Sequence, residues 1–155
     1  MLGVPGVDPK EISQFTFAVA DADKAFFGKV DKAGEPAIRH SLRIAAHFLK
    51  EENYKLATIA ALHDIIEDTD YKIENLYLFY PEDVADAVIA LTRKEGETYK
   101  EYLYRCCENS LAIEVKLQDL QDNLLPERCK GWSPPTKRYF ASLEYIYNLK
   151  YLRKE

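Results

Sequence analysis

The stretch HDIIEDT, residues 63–69, is the most informative part of this 155-residue sequence. It follows an apolar run, LATIAAL at 56–62, and the two together predict one helix over residues 54–68 that is nearly all apolar on its inner side. Aspartate and glutamate are rarely buried unless they are paired or hold a metal ion. The adjacent His63 and Asp64, with two further acids one helical turn later, therefore predict a metal site.

Helical periodicity extends over most of the chain on both sides of this stretch. No segment alternates with a period of two for long enough to predict a strand. Pro9 is expected in the first turn of a helix that follows Asp8, and Ser110 is expected to cap a helix that ends at Leu125. The pattern predicts a compact all-α bundle of about seven to nine helices in a single domain over residues 1–155. The predicted helices are 11–27, 36–50, 54–68, a short one near 76–79, one that opens at 81–83, 99–108, 111–125 and 136–152.

Composition and charge disfavour several classes of protein. The formal net charge is −5, with 21 Lys and Arg against 26 Asp and Glu and no polybasic tract, which disfavours a nucleic-acid partner. The cysteines Cys106, Cys107 and Cys129 form no CxxC motif and predict a cytoplasmic rather than an oxidising compartment. No apolar run approaches the ~20 residues of a membrane span, and the first ten residues do not read as a signal peptide. These features leave the oligomeric state open.

Further metal ligands are expected from two other helices. One ion bound by histidine and carboxylate groups needs about three or four protein donors. His40 lies at the start of the preceding long helix, and Asp119 lies within VKLQDLQDN at 115–123. Lys116, Asp119 and Asn123 fall at i−3, i and i+4, which places them on one helix face. Three helices are thus expected to send polar groups towards one buried point.

The order of these motifs resembles that of the HD-domain superfamily of metal-dependent phosphohydrolases. A longer succession runs from GEPxIxH at 34–40 through LHDxxEDT at 62–69 to VKLxDxxxNL at 115–124. It resembles the hydrolase domain of the RelA/SpoT stringent-response proteins and their small alarmone hydrolase relatives, over about residues 20–125. The resemblance implies an HD-type helical fold and a (p)ppGpp 3′-pyrophosphohydrolase activity.

The resemblance also implies roles for six residues. The metal ion, manganese in the family, would activate a water molecule, and two acids would move its proton. Glu67 lies i+4 from His63 and i+3 from Asp64, so on a helix its carboxylate would emerge beside the ligands. The ligands of the one divalent ion would be His40, His63, Asp64 and Asp119, and the catalytic pair would be Glu67 and Asp68.

Substrate contacts are expected around a phosphorylated nucleotide. The candidates are Lys32, Arg93, Lys94, Lys116, Asn123 and Arg138. The loop before His40 departs from the family pattern, HxGQxRxSGEPYIxH, at several positions. Asp31 stands where an arginine commonly packs on the base, and Ala37 where tyrosine is usual. Phe26 and Lys29 are further departures in this loop, and Leu120 replaces the arginine that often follows the Asp ligand of the family.

This altered loop keeps two alternatives open. The first is an HD phosphohydrolase acting on another nucleotide, such as a nucleoside monophosphate or the 2′-phosphate of NADPH. The second is a metal-binding helical module that binds nucleotides without turnover. The intact pair of Glu67 and Asp68 argues against the second alternative, because binding alone needs no poised base.

Overall fold

The computed structural model describes residues 5–152, so the first four residues of the predicted lead-in lie outside it. Within that range the chain is all-α, as predicted, and its only β pairing is an isolated bridge between Val30 and Pro36. A short 3-10 helix spans Arg128–Lys130, and a π-helical turn, Asn148–Leu152, ends the described chain. The α-helices are α1 (Pro9–Ala25), α2 (Ile38–Lys50), α3 (Tyr54–Leu62), α4 (Ile65–Asp68), α5 (Ile73–Phe79), α6 (Glu82–Leu91), α7 (Tyr99–Cys107), α8 (Ser110–Asn123) and α9 (Thr136–Tyr147).

Helix α3 is the centre of the molecule. Every residue from Leu56 to Leu62 is buried, and the helix packs against α1, α2, α6 and α8. Its alanines let neighbouring helices approach closely, while its leucines and isoleucine fill the space between them. The C-terminal end of α3 therefore delivers His63 into the interior, where its side chain is only 2% exposed.

The prediction of one helix over 54–68 is wrong near its C-terminal end, at residues 63–64. Helix α3 ends at Leu62, and α4 begins at Ile65 after a turn in which Asp64 has φ −102° and ψ 2°. Adjacent residues on a continuous helix point in different directions. The turn allows His63 Nε2 and Asp64 Oδ2 to approach within 3.0 Å, so the break in the helix is what brings this pair together.

Two helix starts test the capping predictions. The side chain of Asp8 accepts a hydrogen bond from the Lys10 N–H, with Pro9 opening α1 as expected. The cap of α8 is Asn109 rather than Ser110, which is the first helical residue. Asn109 Oδ1 accepts from the N–H groups of Leu111 and Ala112, at 3.0 and 2.9 Å.

We expect Asn109→Ala to lower the free energy of unfolding by about 1 kcal/mol, because two N–H groups of the first turn of α8 lose their acceptor. In a chain of this length the midpoint of thermal unfolding should fall by roughly 2–4 °C. Ser110→Ala is the matched control and should change stability by less than about 0.5 kcal/mol. A larger loss for Ser110→Ala than for Asn109→Ala would contradict the assignment of the cap.

A membrane-spanning segment was not expected. Among residues 5–152, none of the helices combines the length and the apolar character that crossing a bilayer requires.

Candidate metal centre and pocket

Three buried side chains from separate parts of the fold converge at one point. His40 comes from the first turn of α2, His63 follows α3, and Asp119 lies in α8. Each offers one nitrogen or oxygen atom, and these three atoms lie within 4.8 Å of one another. His40 Nε2 is 2.9 Å and His63 Nε2 is 3.6 Å from Asp119 Oδ1. The three helices thus supply the kind of donor group that binds a cation.

The imidazole of His63 is oriented by the backbone. Its Nδ1 lies 2.7 Å from the carbonyl oxygen of Ala60, and since a carbonyl can only accept, the proton is on Nδ1. This leaves the lone pair of Nε2 directed into the centre. Among the residues that the structure describes, this buried Nε2 finds no hydrogen-bond partner. An unsatisfied buried nitrogen beside two carboxylates fits a metal ligand.

The imidazole of His40 is oriented by a carboxylate that the sequence analysis did not single out. Asp122 Oδ2 lies 2.6 Å from His40 Nδ1, which leaves His40 Nε2 facing Asp119. Arg43 holds Asp122 in place through two hydrogen bonds, Nε to Oδ1 at 2.8 Å and Nη2 to Oδ2 at 3.0 Å. A carboxylate behind a ligating histidine fixes its ring and raises its basicity. Asp122 is i+3 from Asp119, so its face was predictable but its partner was not.

Asp64 adds a second carboxylate to the centre. Its Oδ2 lies 3.0 Å from His63 Nε2 and 3.8 Å from His40 Nε2. Burial alone would raise the pKa of Asp119, but the Lys116 ammonium, 2.6 Å away, holds that pKa well below its usual value. Two imidazoles and two carboxylates form a nitrogen and oxygen donor set that suits a divalent first-row ion.

Two acids of α4, Glu67 and Asp68, line the adjacent pocket and keep part of their surface exposed. Glu67 accepts a hydrogen bond from the backbone N–H of Arg93. Desolvation by the surrounding protein raises the pKa of Glu67 and that of Asp68, and the negative charge of Asp64 adds to both shifts. A raised pKa brings a carboxyl group closer to the range in which it exchanges protons at neutral pH.

A pocket of about 480 Å³ opens beside the centre and collects most of the predicted site residues. Lys116 and Asn123 line it, and both donate hydrogen bonds to the carboxylate of Asp119, at 2.6 and 3.0 Å. Lys94 does not line the pocket; it is exposed, and its backbone N–H donates to Glu97. His63 lies beneath the lining. The predicted residues that do line the pocket are Lys32, His40, Asp64, Glu67, Asp68, Arg93, Lys116, Asp119, Asn123 and Arg138.

Four aromatic residues that were not among the predicted site residues contribute to the pocket lining. They are Tyr99, Tyr102, Trp132 and Tyr139. The guanidinium of Arg138 lies 4.2 Å from the centre of the Tyr99 ring. Tyrosines spaced along amphipathic helices look alike in sequence whether they face a core or a pocket, so only the packing of α7 against α9 could distinguish them.

The departure at Asp31 has a structural counterpart. Asp31 Oδ2 pairs at 2.9 Å with Arg128, which is buried and also lines the pocket. Its Oδ1 accepts the N–H groups of Ala33 and Glu35, which shapes the loop. Arg128 also donates to Asn123 Oδ1 at 3.1 Å. In this chain the loop therefore contributes an acid to this part of the pocket, and the arginine comes from the 3-10 helix.

We expect Asp122→Asn to weaken metal binding by roughly 10- to 100-fold, because the anion that orients and polarises His40 is lost. Titration of Mn²⁺ in competition with a chelator would measure the change. Asp70→Asn, at an exposed position, is the matched control and should bind the ion like the wild type. Unchanged affinity in a folded Asp122→Asn protein would rule out the supporting role.

Comparison with known proteins gives consistent relatives, although no family model matches the chain. It is 30% identical over 131 residues to a probable guanosine-3′,5′-bis(diphosphate) 3′-pyrophosphohydrolase of Synechocystis, covering 72% of this chain and 17% of that protein. It is 29% identical over 138 residues to a probable GTP pyrophosphokinase of Mycobacterium leprae, covering 82% of this chain and 17% of that protein. The chain thus spans less than a fifth of the length of these relatives.

A solved structure shares the fold. It is a metazoan SpoT ortholog described as hydrolysing ppGpp, and it superimposes with a TM-score of 0.68 at 20% sequence identity. The superposition covers 97% of this chain and 99% of that one. The helical arrangement described above is therefore that of this ortholog.

Proposed function

This chain belongs with the HD-type hydrolase domains of RelA/SpoT proteins, and from that premise we propose that it is a metal-dependent (p)ppGpp 3′-pyrophosphohydrolase. The observation that carries the proposal is the buried set of His40, His63 and Asp119 beside a pocket that contains Glu67. Its substrate would be a small phosphorylated nucleotide.

Four side chains are the proposed ligands of the ion. His40, His63, Asp64 and Asp119 would bind one divalent cation. We propose Mn²⁺ because the resemblance to the family implies it, and a mixed set of imidazole and carboxylate donors accepts this ion among other divalent first-row ions. Such a cation, when bound, acidifies a water molecule and neutralises charge on phosphoryl oxygens.

The acids of α4 would handle the protons. Glu67, held at one oxygen by the Arg93 N–H, would accept the proton of the attacking water as the new bond to phosphorus forms. The bond between phosphorus and the 3′ oxygen of the ribose would break, releasing pyrophosphate. Asp68 would return a proton to that 3′ oxygen, for which its raised pKa suits it.

The pocket cations would hold the phosphates. Lys32 and Arg138 line the pocket, with their charged ends 6.0 Å from the centre of the Trp132 ring and 4.2 Å from the centre of the Tyr99 ring. Arg93 donates through Nε to the carbonyl of Glu97, and its terminal nitrogens would contact the substrate. These groups suit a polyanionic ligand, since a charge-assisted hydrogen bond to phosphate is stronger than a neutral one.

A second candidate is hydrolysis of another nucleotide, such as a nucleoside monophosphate or the 2′-phosphate of NADPH. The observation that favours it concerns Asp31. It stands where the family commonly has an arginine that packs on the base, and it pairs with Arg128. A module that binds nucleotide without turnover fits less well, since it would not need Glu67 beside the donor set.

The test is a substrate panel. The purified protein would be analysed for bound metal and assayed for pyrophosphate or phosphate release from ppGpp, NADPH and nucleoside monophosphates, with and without Mn²⁺. We expect Mn²⁺-dependent release of pyrophosphate from ppGpp. Turnover of NADPH or of a monophosphate alone would favour the second candidate. Metal binding without turnover of any nucleotide would overturn the hydrolase proposal.

A further inference from the structure

The turn between α6 and α7, residues 92–98, reaches the pocket from a largely exposed position. Its residue Arg93 lines the pocket and donates its backbone N–H to Glu67. Most of the turn is exposed, so burial contributes little to holding it. An exposed turn of this kind is mobile unless polar contacts hold it.

One arginine on α7 supplies those contacts. Arg105 forms a two-pronged pair with Glu97, Nε to Oε1 at 2.7 Å and Nη2 to Oε2 at 2.9 Å. The same guanidinium donates to the carbonyl oxygens of Thr92 at 2.8 Å, Ile89 at 3.3 Å and Ala90 at 3.4 Å. These carbonyls lie at the C-terminal end of α6, where a helix leaves acceptors unpaired. Arg105 therefore joins the end of α6 and the turn to α7.

Glu97 closes the turn on itself. Its carboxylate accepts the N–H of Lys94 at 2.9 Å, and its carbonyl accepts Arg93 Nε at 2.9 Å. Gly96 has φ +76°, a left-handed conformation that glycine adopts without strain. The Arg105 guanidinium lowers the pKa of Glu97 to about 2, so the pair stays charged at neutral pH. Arg93 is thus held by Glu97 within the turn, and the turn itself is held by Arg105 on α7.

We propose that Glu97 and Arg105 are positioning residues for the reaction, acting through the Arg93 N–H on the carboxylate of Glu67. Neither residue lines the pocket. By fixing the turn they hold one oxygen of Glu67 and leave the other free for the attacking water. This inference rests on the proposed function, because it assigns Glu67 as the base.

The effect should appear in turnover rather than in folding. We expect Glu97→Ala to lower kcat by roughly 10- to 100-fold, since small displacements of a catalytic group carry costs of that order. Affinity for Mn²⁺ should not change. Glu97→Gln should recover part of the rate, because its amide oxygen can still accept a hydrogen bond from Lys94 or Arg105. Glu95→Ala, at an exposed position of the same turn, is the matched control and should behave like the wild type.

A double-mutant cycle separates positioning from a general structural role. If Glu97 acts through Glu67, then Glu97→Ala should cause little further loss in a Glu67→Gln protein. Amide hydrogen exchange should also be faster at Arg93 in Glu97→Ala than in Glu95→Ala. Additive losses in the cycle, or unchanged exchange at Arg93, would overturn the positioning role in an active enzyme. A wild-type protein that hydrolyses no nucleotide would overturn the proposed function first, and the exchange measurement distinguishes the two failures.

Discussion

Replacing His63 by alanine should remove bound metal and lower nucleotide hydrolysis by at least about 10³-fold. The Nε2 of His63 faces Asp64 and Asp119, and its ring is fixed by the Ala60 carbonyl. A metal ion contributes several kcal/mol of transition-state stabilisation, and each 1.36 kcal/mol corresponds to a factor of ten in rate. Metal content and initial rates measured on the same preparation would check both parts.

The control for this change is another histidine. His47 lies on α2, with its Nε2 3.8 Å from Oε1 of the exposed Glu51. We expect His47→Ala to leave metal content and rate unchanged. His63 is buried, so His63→Gln, which better preserves volume, should be examined alongside it by circular dichroism. A folded His63 variant with full activity would refute the metal centre.

Replacing Glu67 by glutamine should lower kcat by roughly 10²- to 10⁴-fold, the range that a positioned general base contributes. The amide cannot take a proton from water, but its oxygen can still accept the Arg93 N–H, so the turn should keep its place. Metal affinity should be unchanged, because Glu67 is not one of the proposed ligands.

Two comparisons sharpen this second prediction. Glu74→Gln, an exposed acid at the start of α5, should have wild-type kinetics. Asp68→Asn should show a smaller loss for substrates whose leaving group needs less protonation. Full kcat in Glu67→Gln combined with a large loss in Asp68→Asn would exchange the roles of the two acids.

The fold was predictable because helical periodicity covers nearly all of the chain. The break between α3 and α4 was not, since the apolar pattern continues through it and the turn at Asp64 depends on the surrounding helices. The cap of α8 shows the same limit on a smaller scale. Asn109 and Ser110 both favour a helix start, and only the extended backbone at Asn109, φ −96° and ψ 117°, decides between them.

The donor groups of the site were predictable by residue type and order, and their surroundings were not. Asp122 acquires its role from His40 and Arg43, which lie about 80 positions earlier on another helix. Arg128 likewise depends on Asp31, which pairs with it from a loop 97 positions away. Spacing along one helix reveals a shared face, but contacts between distant segments follow only from the packed tertiary structure.

The convergence of His40, His63 and Asp119 has a thermodynamic consequence. His40 and Asp119 are 79 positions apart, so the unfolded chain presents no comparable donor set. A ligand that binds only the folded state stabilises it by mass action, by about 2.7 kcal/mol at a free concentration of one hundred times Kd. The supply of the ion in the cell would then affect the stability of the folded protein as well as the rate of the proposed hydrolysis.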